Sequence, residues 1–123
     1  MLNSRQCLGK SGEQSVAKHL KKKGYKILTQ NYRCKLGEID IIARDGPVLV
    51  FIEVKTRSGL NYGSPAAAVN ARKQKQISRA AQCYLAEHNL FDSPARFDVV
   101  SVLCDKSNHH RIDHINNAFD LCD

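Results

Sequence analysis

The sequence contains no tryptophan, only four tyrosines and three prolines, and none of its five cysteines forms a C-x-x-C motif. Without tryptophan, the aromatic platforms on which single-strand binders stack bases are not strongly encoded. Without C-x-x-C, zinc knuckles and dithiol redox motifs are excluded, and scattered thiols are typical of a reducing cytoplasm. The sequence also has no Gly-rich phosphate loop, no G-x-S-x-G elbow and no Cys–His nucleophile pattern.

Long apolar runs are absent as well. No run approaches the length of a membrane span, and the N-terminal stretch MLNSRQCLGKSGEQ has no apolar signal core. We therefore expect a cytoplasmic protein with no membrane partner. A chain of 123 residues can bury one real core but not two, so we expect a single domain over residues 1–123.

Positive charge is in surplus. The formal net charge is +7, and the sequence pI is about 9.3. Such a surplus on a small domain fits a polyanionic partner, of which nucleic acid is the commonest. An anionic membrane surface would attract the same charge, so the charge alone leaves both partners open.

Residues 37–57, GEIDIIARDGPVLVFIEVKTR, predict two β-strands around a turn at Asp-Gly-Pro. If the loop holds an even number of residues, Arg44 lies opposite Leu49, and the hydrophobic pattern supports this register. One face then carries the pairs Ile39–Val54, Ile41–Ile52 and Ala43–Val50, and the other carries Ile42–Phe51 and Asp40–Glu53.

The predicted register sets two carboxylates, Asp40 and Glu53, directly opposite each other. Their Cβ atoms would be roughly 5 Å apart, where like charges destabilise a sheet. A divalent cation would compensate, because Mg²⁺ takes oxygen ligands and is often held by one or two carboxylates plus substrate phosphate. Lys55 would point to the same face, about 7 Å along the strand. The alternative is a solvated strand face on which Asp40 pairs with Lys55.

These residues carry a resemblance. Asp40 followed by Glu53-Val54-Lys55 matches the D…(D/E)-x-K signature of the restriction-endonuclease-like nuclease superfamily. The chain as a whole resembles the YraN-like family of small bacterial proteins, which is catalogued as uncharacterised. The matching segments are SGEQSVAKHLKKKGYKIL, NYR, GEIDIIARDG, LVFIEVKTR, YGSP, RKQKQI, RFDVV and NAF. The resemblance implies a nuclease-type core similar to that of archaeal Holliday-junction resolvases, but it does not establish an activity.

Ser11 and Gln14 have the spacing of a capping box, which predicts a helix that starts at Ser11 and that Gly24 closes. Glu13 would then lie in the first turn, where the helix dipole stabilises a carboxylate. The resemblance implies a second role for it, as a third metal-site carboxylate, and both roles stay open. Cations in a connector are usually just solvated, but Arg33, before the hairpin, matches the family pattern and is predicted to contact a phosphate.

Residues 64–88 predict a helical region with one apolar stripe, opened by Ser64 and Pro65 and interrupted near Asn70. Its other side carries basic and amide side chains: Arg72, Lys73, Gln74, Lys75, Gln76 and Arg79. Such a face is usually solvent-exposed, and the alternative is a face that contacts DNA or RNA. The resemblance supports the nucleic-acid interpretation, with Lys73 or Gln74 near the metal site.

Residues 96–103 predict a buried strand, and the order strand–helix–strand implies a parallel crossover. Asp98 in this strand is expected to be a structural partner for Arg96 or another cation, and a peripheral role in the site stays open. Residues 112–115 predict a short edge strand. His110 and His114 have i,i+4 spacing, but turn and strand are predicted there rather than helix, so a zinc site is disfavoured.

Together these features predict an α/β fold, a restriction-endonuclease-like mixed sheet of about five strands flanked by helices. The predicted function is a metal-dependent nuclease that uses Mg²⁺ or Mn²⁺ and prefers DNA to RNA. A non-catalytic nucleic-acid-binding module is the alternative, and a homodimer stays open because resolvase-like relatives work as dimers. The predicted catalytic residues are Glu13, Asp40, Glu53 and Lys55. The predicted metal ligands are Glu13, Asp40, Glu53 and the Val54 carbonyl. The predicted nucleic-acid contacts are Arg33, Lys55, Arg57, Arg72, Lys73 and Gln74.

Overall fold

The computed structural model describes residues 4–58, 69–104 and 110–120. Within these ranges the chain forms, in order, α1 (Ser4–Lys22), β1 (Lys26–Cys34), β2 (Gly37–Asp45), β3 (Val48–Ser58), α2 (Ala71–Glu87), β4 (Ala95–Cys104) and β5 (His110–Phe119). The predicted α/β fold with a five-stranded mixed sheet is confirmed. None of the helices in the described ranges is long and apolar enough to cross a membrane.

The strands of the sheet lie side by side in the order β1-β2-β3-β4-β5. β3 and β4 are parallel, and the other neighbouring strands are antiparallel. A parallel pair needs a crossover connection, and α2 lies in the connection between these two strands. The predicted strand–helix–strand crossover is therefore confirmed, and β3 is the central strand of the sheet.

The β2–β3 hairpin has the register that the hydrophobic pattern predicted. Arg44 lies opposite Leu49, and Ile41 lies opposite Ile52. Gly46 in the turn has a φ of +60°, a left-handed conformation that glycine adopts without steric cost. The register therefore carries Asp40 and Glu53 to neighbouring positions just beyond the last paired residues.

Each face of the sheet is covered by one helix. Val16 and Leu20 of α1 pack with Ile52 in the core on one face. Ile77 of α2 packs with Phe51 in the core on the other face. Because both faces of β3 are buried, its sequence is a nearly continuous hydrophobic run instead of an alternating one. Within that run, which covers residues 48–54, Glu53 is the one charged residue.

The predicted facing of Ile39 is wrong. Ile39 belongs to the core under α2, whereas Ile41 and Val54 belong to the core under α1. Strict alternation would place Ile39 and Ile41 on one face, so the alternation breaks at Asp40. In the neighbouring strand β1 it breaks at Asn31, whose φ of +55° is left-handed. Asp40 consequently lies where the strand changes the face that it presents.

The predicted start of the first helix is also wrong. α1 begins at Ser4, well before the capping signature at Ser11, so Glu13 lies in the helix interior. The helix-dipole argument for Glu13 therefore does not apply. The predicted end is confirmed, because Gly24 has a φ of +93° directly after the last turn.

The second helix begins at Ala71. Its N-cap is Asn70, whose side chain accepts a hydrogen bond of 2.9 Å from the Lys73 N–H. The sequence marked Asn70 only as an interruption, and the predicted start at Ser64 and Pro65 lies outside the described residues. β5 is longer than the short edge strand that residues 112–115 predicted, but it does lie at an edge of the sheet.

Asp98 has the structural role that the sequence predicted. Its side chain is fully buried, and Arg96 Nε donates a hydrogen bond of 3.1 Å to it. His114 Nε2 lies 2.7 Å from the same carboxylate, and the Asn117 N–H donates to it at 2.8 Å. Burial alone would raise the pKa of Asp98, but the hydrogen bonds from His114, Asn117 and Arg96 outweigh it and lower that pKa. His114 thus serves this buried carboxylate.

Candidate active site

Glu53 is a buried carboxylate in the central strand. Only 5% of the residue is exposed, and it lies on the α2 face of β3, as Phe51 does. Its Oε1 is 3.6 Å from the Lys55 Nζ and 3.7 Å from the Lys73 Nζ. The alternative of a solvated strand face with Glu53 and Lys55 on it is therefore wrong, since the carboxylate is enclosed by two ammonium groups.

Asp40 is held next to Glu53 by the backbone of β3. The Val54 N–H donates a hydrogen bond of 2.8 Å to the Asp40 Oδ2. Asp40 is half-buried, and a charge-assisted hydrogen bond of this kind fixes the orientation of its carboxylate. One oxygen thereby accepts from the Val54 N–H, and the carboxyl also interacts with that of Glu53.

The two carboxyls are electrostatically coupled. Burial, followed by the neighbouring Asp40 charge, raises the pKa of Glu53 to about 7 against the opposing effect of Lys73 and Lys55. At neutral pH the Glu53 carboxyl therefore exchanges readily between its acid and its ionised form. A buried acid whose pKa is shifted by a specific charged neighbour is a mark of functional sites.

Glu13 approaches Asp40 from α1. Burial raises the pKa of Glu13, and the charges of Asp40 and Glu38 add to that rise. Gly12 makes this approach feasible, because a Cβ at position 12 would collide with the Thr56 hydroxyl and lie 3.1 Å from its Cγ2. The absence of a side chain at Gly12 thus lets α1 lie directly against β3, beside the residues of the site.

A second glycine brings α2 to the site. A Cβ at Gly37 would lie 2.7 Å from the backbone oxygen of Gln76, closer than real Cβ atoms come to a backbone atom. The start of α2 can therefore lie against the start of β2 only because position 37 is glycine. This contact fixes the first turns of α2 where the Lys73 ammonium reaches Glu53. Neither glycine was identified as a site residue from the sequence, although single glycines within a helix or strand mark close approaches.

The acidic pair fits a hard divalent cation. Asp40 and Glu53 offer carboxylate oxygens, and Mg²⁺ is commonly bound by one or two carboxylates with other oxygens completing the shell. A cation between them would also relieve the repulsion that raises the pKa of Glu53. The described ranges contain no cluster of three or more His, Cys, Asp or Glu side chains able to hold a metal. The Val54 carbonyl and Glu13 as further ligands stay predictions.

The predicted nucleic-acid contacts have different surroundings. Lys73 contacts Glu53, but the Gln74 Nε2 donates a hydrogen bond of 2.9 Å to the Val69 carbonyl and so secures the entry into α2. Arg33 is largely exposed, with its Nε 3.3 Å from the Glu38 Oε2. Arg72 is exposed on α2, and the side chain of Arg57 is outside the part of the chain that the structure describes. Of the six predicted nucleic-acid contacts, Lys55 and Lys73 are the two that the described residues place against Glu53.

The fold and site define a class, namely small α/β proteins whose central strand carries a buried acid beside a second acid and two lysines. Residues 12–102, which include this whole site, match the uncharacterised protein family UPF0102. The chain belongs to that family, in agreement with its resemblance to YraN-like proteins.

Several relatives are similar to the chain over almost its full length. The UPF0102 protein of Geobacter metallireducens is 49% identical over 114 residues, which cover 93% of each chain. The UPF0102 protein of Geotalea uraniireducens is 50% identical over 114 residues, covering 93% of this chain and 90% of the relative. The UPF0102 protein of Pelotomaculum thermopropionicum is 42% identical over 120 residues, covering 97% and 100%. These matches show the family, while the activity has to be argued from the site.

Proposed function

We propose that this protein is a metal-dependent nuclease that hydrolyses phosphodiester bonds in nucleic acid, DNA in preference to RNA. The observation that carries the proposal is the buried Glu53 beside Asp40, with the Lys55 and Lys73 ammonium groups at 3.6 and 3.7 Å. Burying a carboxylate next to another acid opposes folding, so such an arrangement indicates that the two acids are kept for a function. The surplus of positive charge supports a polyanionic substrate.

Asp40 and Glu53 are the residues that would hold Mg²⁺ or Mn²⁺, with the Val54 carbonyl and Glu13 as proposed further ligands. When bound, such an ion lowers the pKa of a water molecule and offsets the negative charge that develops on the phosphate. Because the pKa of Glu53 is raised to about 7, this carboxyl must give up its proton before it can act as a ligand.

The two lysines supply positive charge without a metal. In the proposed mechanism Lys55 positions the attacking water or helps to activate it, and its compact ammonium group offsets negative charge on the phosphate. Lys73 brings a second ammonium group from the start of α2. Both groups now lie against Glu53, so they can turn to phosphate oxygens once that carboxylate has another partner.

The test is hydrolysis by purified wild-type protein and single variants on duplex, branched and single-stranded substrates, with Mg²⁺ and with Mn²⁺. Asp40→Asn, Glu53→Gln and Lys55→Gln should each lower the rate by about 10²-fold or more, as losing one electrostatic partner of a transition state typically does. Asp113→Asn, which removes a carboxylate on β5, is the matched control and should keep wild-type activity. Equal inertness of wild type and variants on every substrate would refute the enzymatic proposal.

The second candidate is a nucleic-acid-binding module that has the fold but no activity. It is favoured by the ion pairs of Lys55 and Lys73 with Glu53, since these pairs balance the buried charge without any metal. Calorimetry with Mn²⁺ separates the two functions. A binding-only module should give no heat that depends on Asp40 and Glu53, whereas a nuclease should lose its heat of Mn²⁺ binding in Asp40→Asn.

A further inference from the structure

A polar groove lies between α1 and β1. Its volume is about 410 Å³, and it is lined by Gln14, Ser15, Ala17, Lys18, Lys21 and Gln30. Two lysines give it positive charge, two glutamines give it amide N–H donors, and none of these lining residues is acidic. This α1–β1 groove therefore has the chemistry of a site for anions with several oxygen acceptors.

The helix wall of the groove follows from the periodicity of α1. Gln14, Lys18 and Lys21 recur at i, i+4 and i+7, so they lie along one face of the helix. Val16 and Leu20 lie on a different face of the same helix and are fully buried in the core. The lysines are consequently held beside the core by a packed helix, and all three groove residues of this face are exposed.

The strand wall of the groove depends on the left-handed conformation of Asn31. Tyr32, which follows Asn31, packs against the core under α2, whereas Gln30 lines the groove on the α1 side. Strict alternation would put both side chains on one face, and the φ of +55° at Asn31 breaks it. The irregularity that accompanies the change of face at Asp40 thus also turns Gln30 into the groove.

The groove lies beside Asp40 and Glu13 of the candidate active site. Gln14 directly follows Glu13 in α1, and Gln30 is paired with Ile41, the residue after Asp40. Each wall therefore begins one residue from a carboxylate of the site. Consecutive phosphates of one strand are only about 3.4 Å apart along a duplex axis, so a phosphate at the acidic pair has neighbours close by.

We propose that the α1–β1 groove binds the phosphate backbone of the nucleic acid next to the phosphate that occupies the acidic pair, an inference that rests on the proposed function. Lys18 and Lys21 act as point charges for the backbone, and the amides of Gln14 and Gln30 donate hydrogen bonds to phosphate oxygens. Such contacts carry no base information. They fix the position of the strand relative to Asp40 and Glu53.

The experiment compares wild type with Lys18→Gln/Lys21→Gln in the full chain. Binding of a fluorescein-labelled DNA duplex is followed by anisotropy across a series of KCl concentrations, without divalent cations, so that cleavage cannot interfere. Loss of two phosphate contacts should reduce the slope of log Kd against log [KCl] by about 2. Lys18→Arg/Lys21→Arg should keep the wild-type slope. Arg111→Gln, on the opposite edge strand β5, should keep it as well.

An unchanged slope in Lys18→Gln/Lys21→Gln, with a wild-type circular dichroism spectrum, would overturn the proposal. So would failure of wild type to bind duplex DNA, a four-way DNA junction and duplex RNA, or binding only to vesicles that contain phosphatidylserine. The failure of the nuclease proposal is distinguishable. If wild type binds with a steeper salt slope than Lys18→Gln/Lys21→Gln but never cleaves, the groove proposal is supported and the nuclease proposal is refuted. If Glu53→Gln abolishes the cleavage seen in wild type but the lysine variants bind as wild type does, only the groove proposal is refuted.

Discussion

The backbone N–H of Val54 donates a hydrogen bond to the Asp40 carboxylate at 2.8 Å. Regular pairing between β2 and β3 runs from Asp45 and Val48 to Ile41 and Ile52. Beyond that pair, the carboxylate of Asp40 takes the Val54 N–H that a ladder hydrogen bond could otherwise use. A side chain that replaces a strand contact is positioned by the backbone itself, and this gives the acidic pair a fixed geometry before any ligand binds.

Replacing Glu53 by glutamine should stabilise the protein at neutral and alkaline pH. The pKa of Glu53 is raised from 4.5 to about 7, so between these values the folded state keeps a proton that the unfolded state has lost. The contribution of this group to stability is therefore complete below pH 4.5 and is lost as the pH rises to about 7. A pKa difference of this size corresponds to roughly 3 kcal/mol, a net effect that already includes the opposing attraction of Lys55 and Lys73.

Urea unfolding of wild type and Glu53→Gln at a series of pH values measures this effect. The gain in unfolding free energy of Glu53→Gln over wild type should be smallest near pH 4.5 and should grow towards pH 7 and above. The low-pH measurement serves as an internal control, because the wild-type carboxyl is then protonated. A difference between the two proteins that does not vary with pH would contradict the raised pKa.

Binding of Mn²⁺ should weaken as the pH falls below 7. A proton must leave Glu53 for each ion bound, because its pKa is raised to about 7 by burial and by Asp40. The apparent Kd should therefore rise about tenfold for each pH unit below this value and level off above it. Isothermal titration calorimetry in buffers of different ionisation enthalpy would report both the Kd and the released proton.

Two variants make the Mn²⁺ measurement specific. Asp40→Asn should abolish the heat of binding, whereas Asp113→Asn should leave it unchanged, since the Asp113 carboxylate lies on β5 and pairs with Arg111. A Kd that is independent of pH, or that responds equally to both variants, would show that Mn²⁺ binds elsewhere on the surface.

Gly12→Ala should destabilise the protein, although alanine is the better helix former. In a helix interior this change normally stabilises by about 1 kcal/mol. Here the new methyl group would collide with the Thr56 hydroxyl and crowd its Cγ2 at 3.1 Å. Overpacking of this kind costs roughly 1–3 kcal/mol, so the steric effect should outweigh the propensity.

Thermal unfolding of Gly12→Ala, Thr56→Ala and the double variant tests whether Thr56 is the cause. The double variant should recover part of the loss, because Thr56→Ala removes the two atoms nearest the new methyl group. Additive losses would mean that the destabilisation arises elsewhere in α1.

The hairpin could be predicted from sequence because its information is local. Alternating apolar residues around a Gly-containing turn admit few registers, and the pairing of Ile41 with Ile52 followed directly. The start of α1 could not be predicted, because the capping signature at Ser11 lies inside a longer helix. A local capping pattern does not show how far a helix extends upstream of it. The face predicted for Ile39 was wrong for another reason, since the alternation breaks at Asp40, beside the left-handed Asn31 of β1, and strict alternation does not anticipate such a break.

The sequence likewise predicted only part of the candidate site. The register placed Asp40 beside Glu53, but the burial of Glu53 depends on two helices covering the sheet. The contact of Lys73 with Glu53 depends on the close packing of Gly37 against Gln76, which lies far away in the sequence. A non-local contact of this kind leaves no periodic signal, and the resemblance alone placed Lys73 or Gln74 near the carboxylates.

The central position of β3 bears on when the proposed activity could first occur during synthesis of the chain. Glu53 meets Lys73 of α2 on one side, and Thr56 meets Gly12 of α1 on the other. An incompletely folded chain has every residue of the site but lacks the geometry, because each helix contributes from its own side of the sheet. A nuclease built in this way would remain inactive until both layers had assembled, so nascent or damaged copies could not cut nucleic acid indiscriminately.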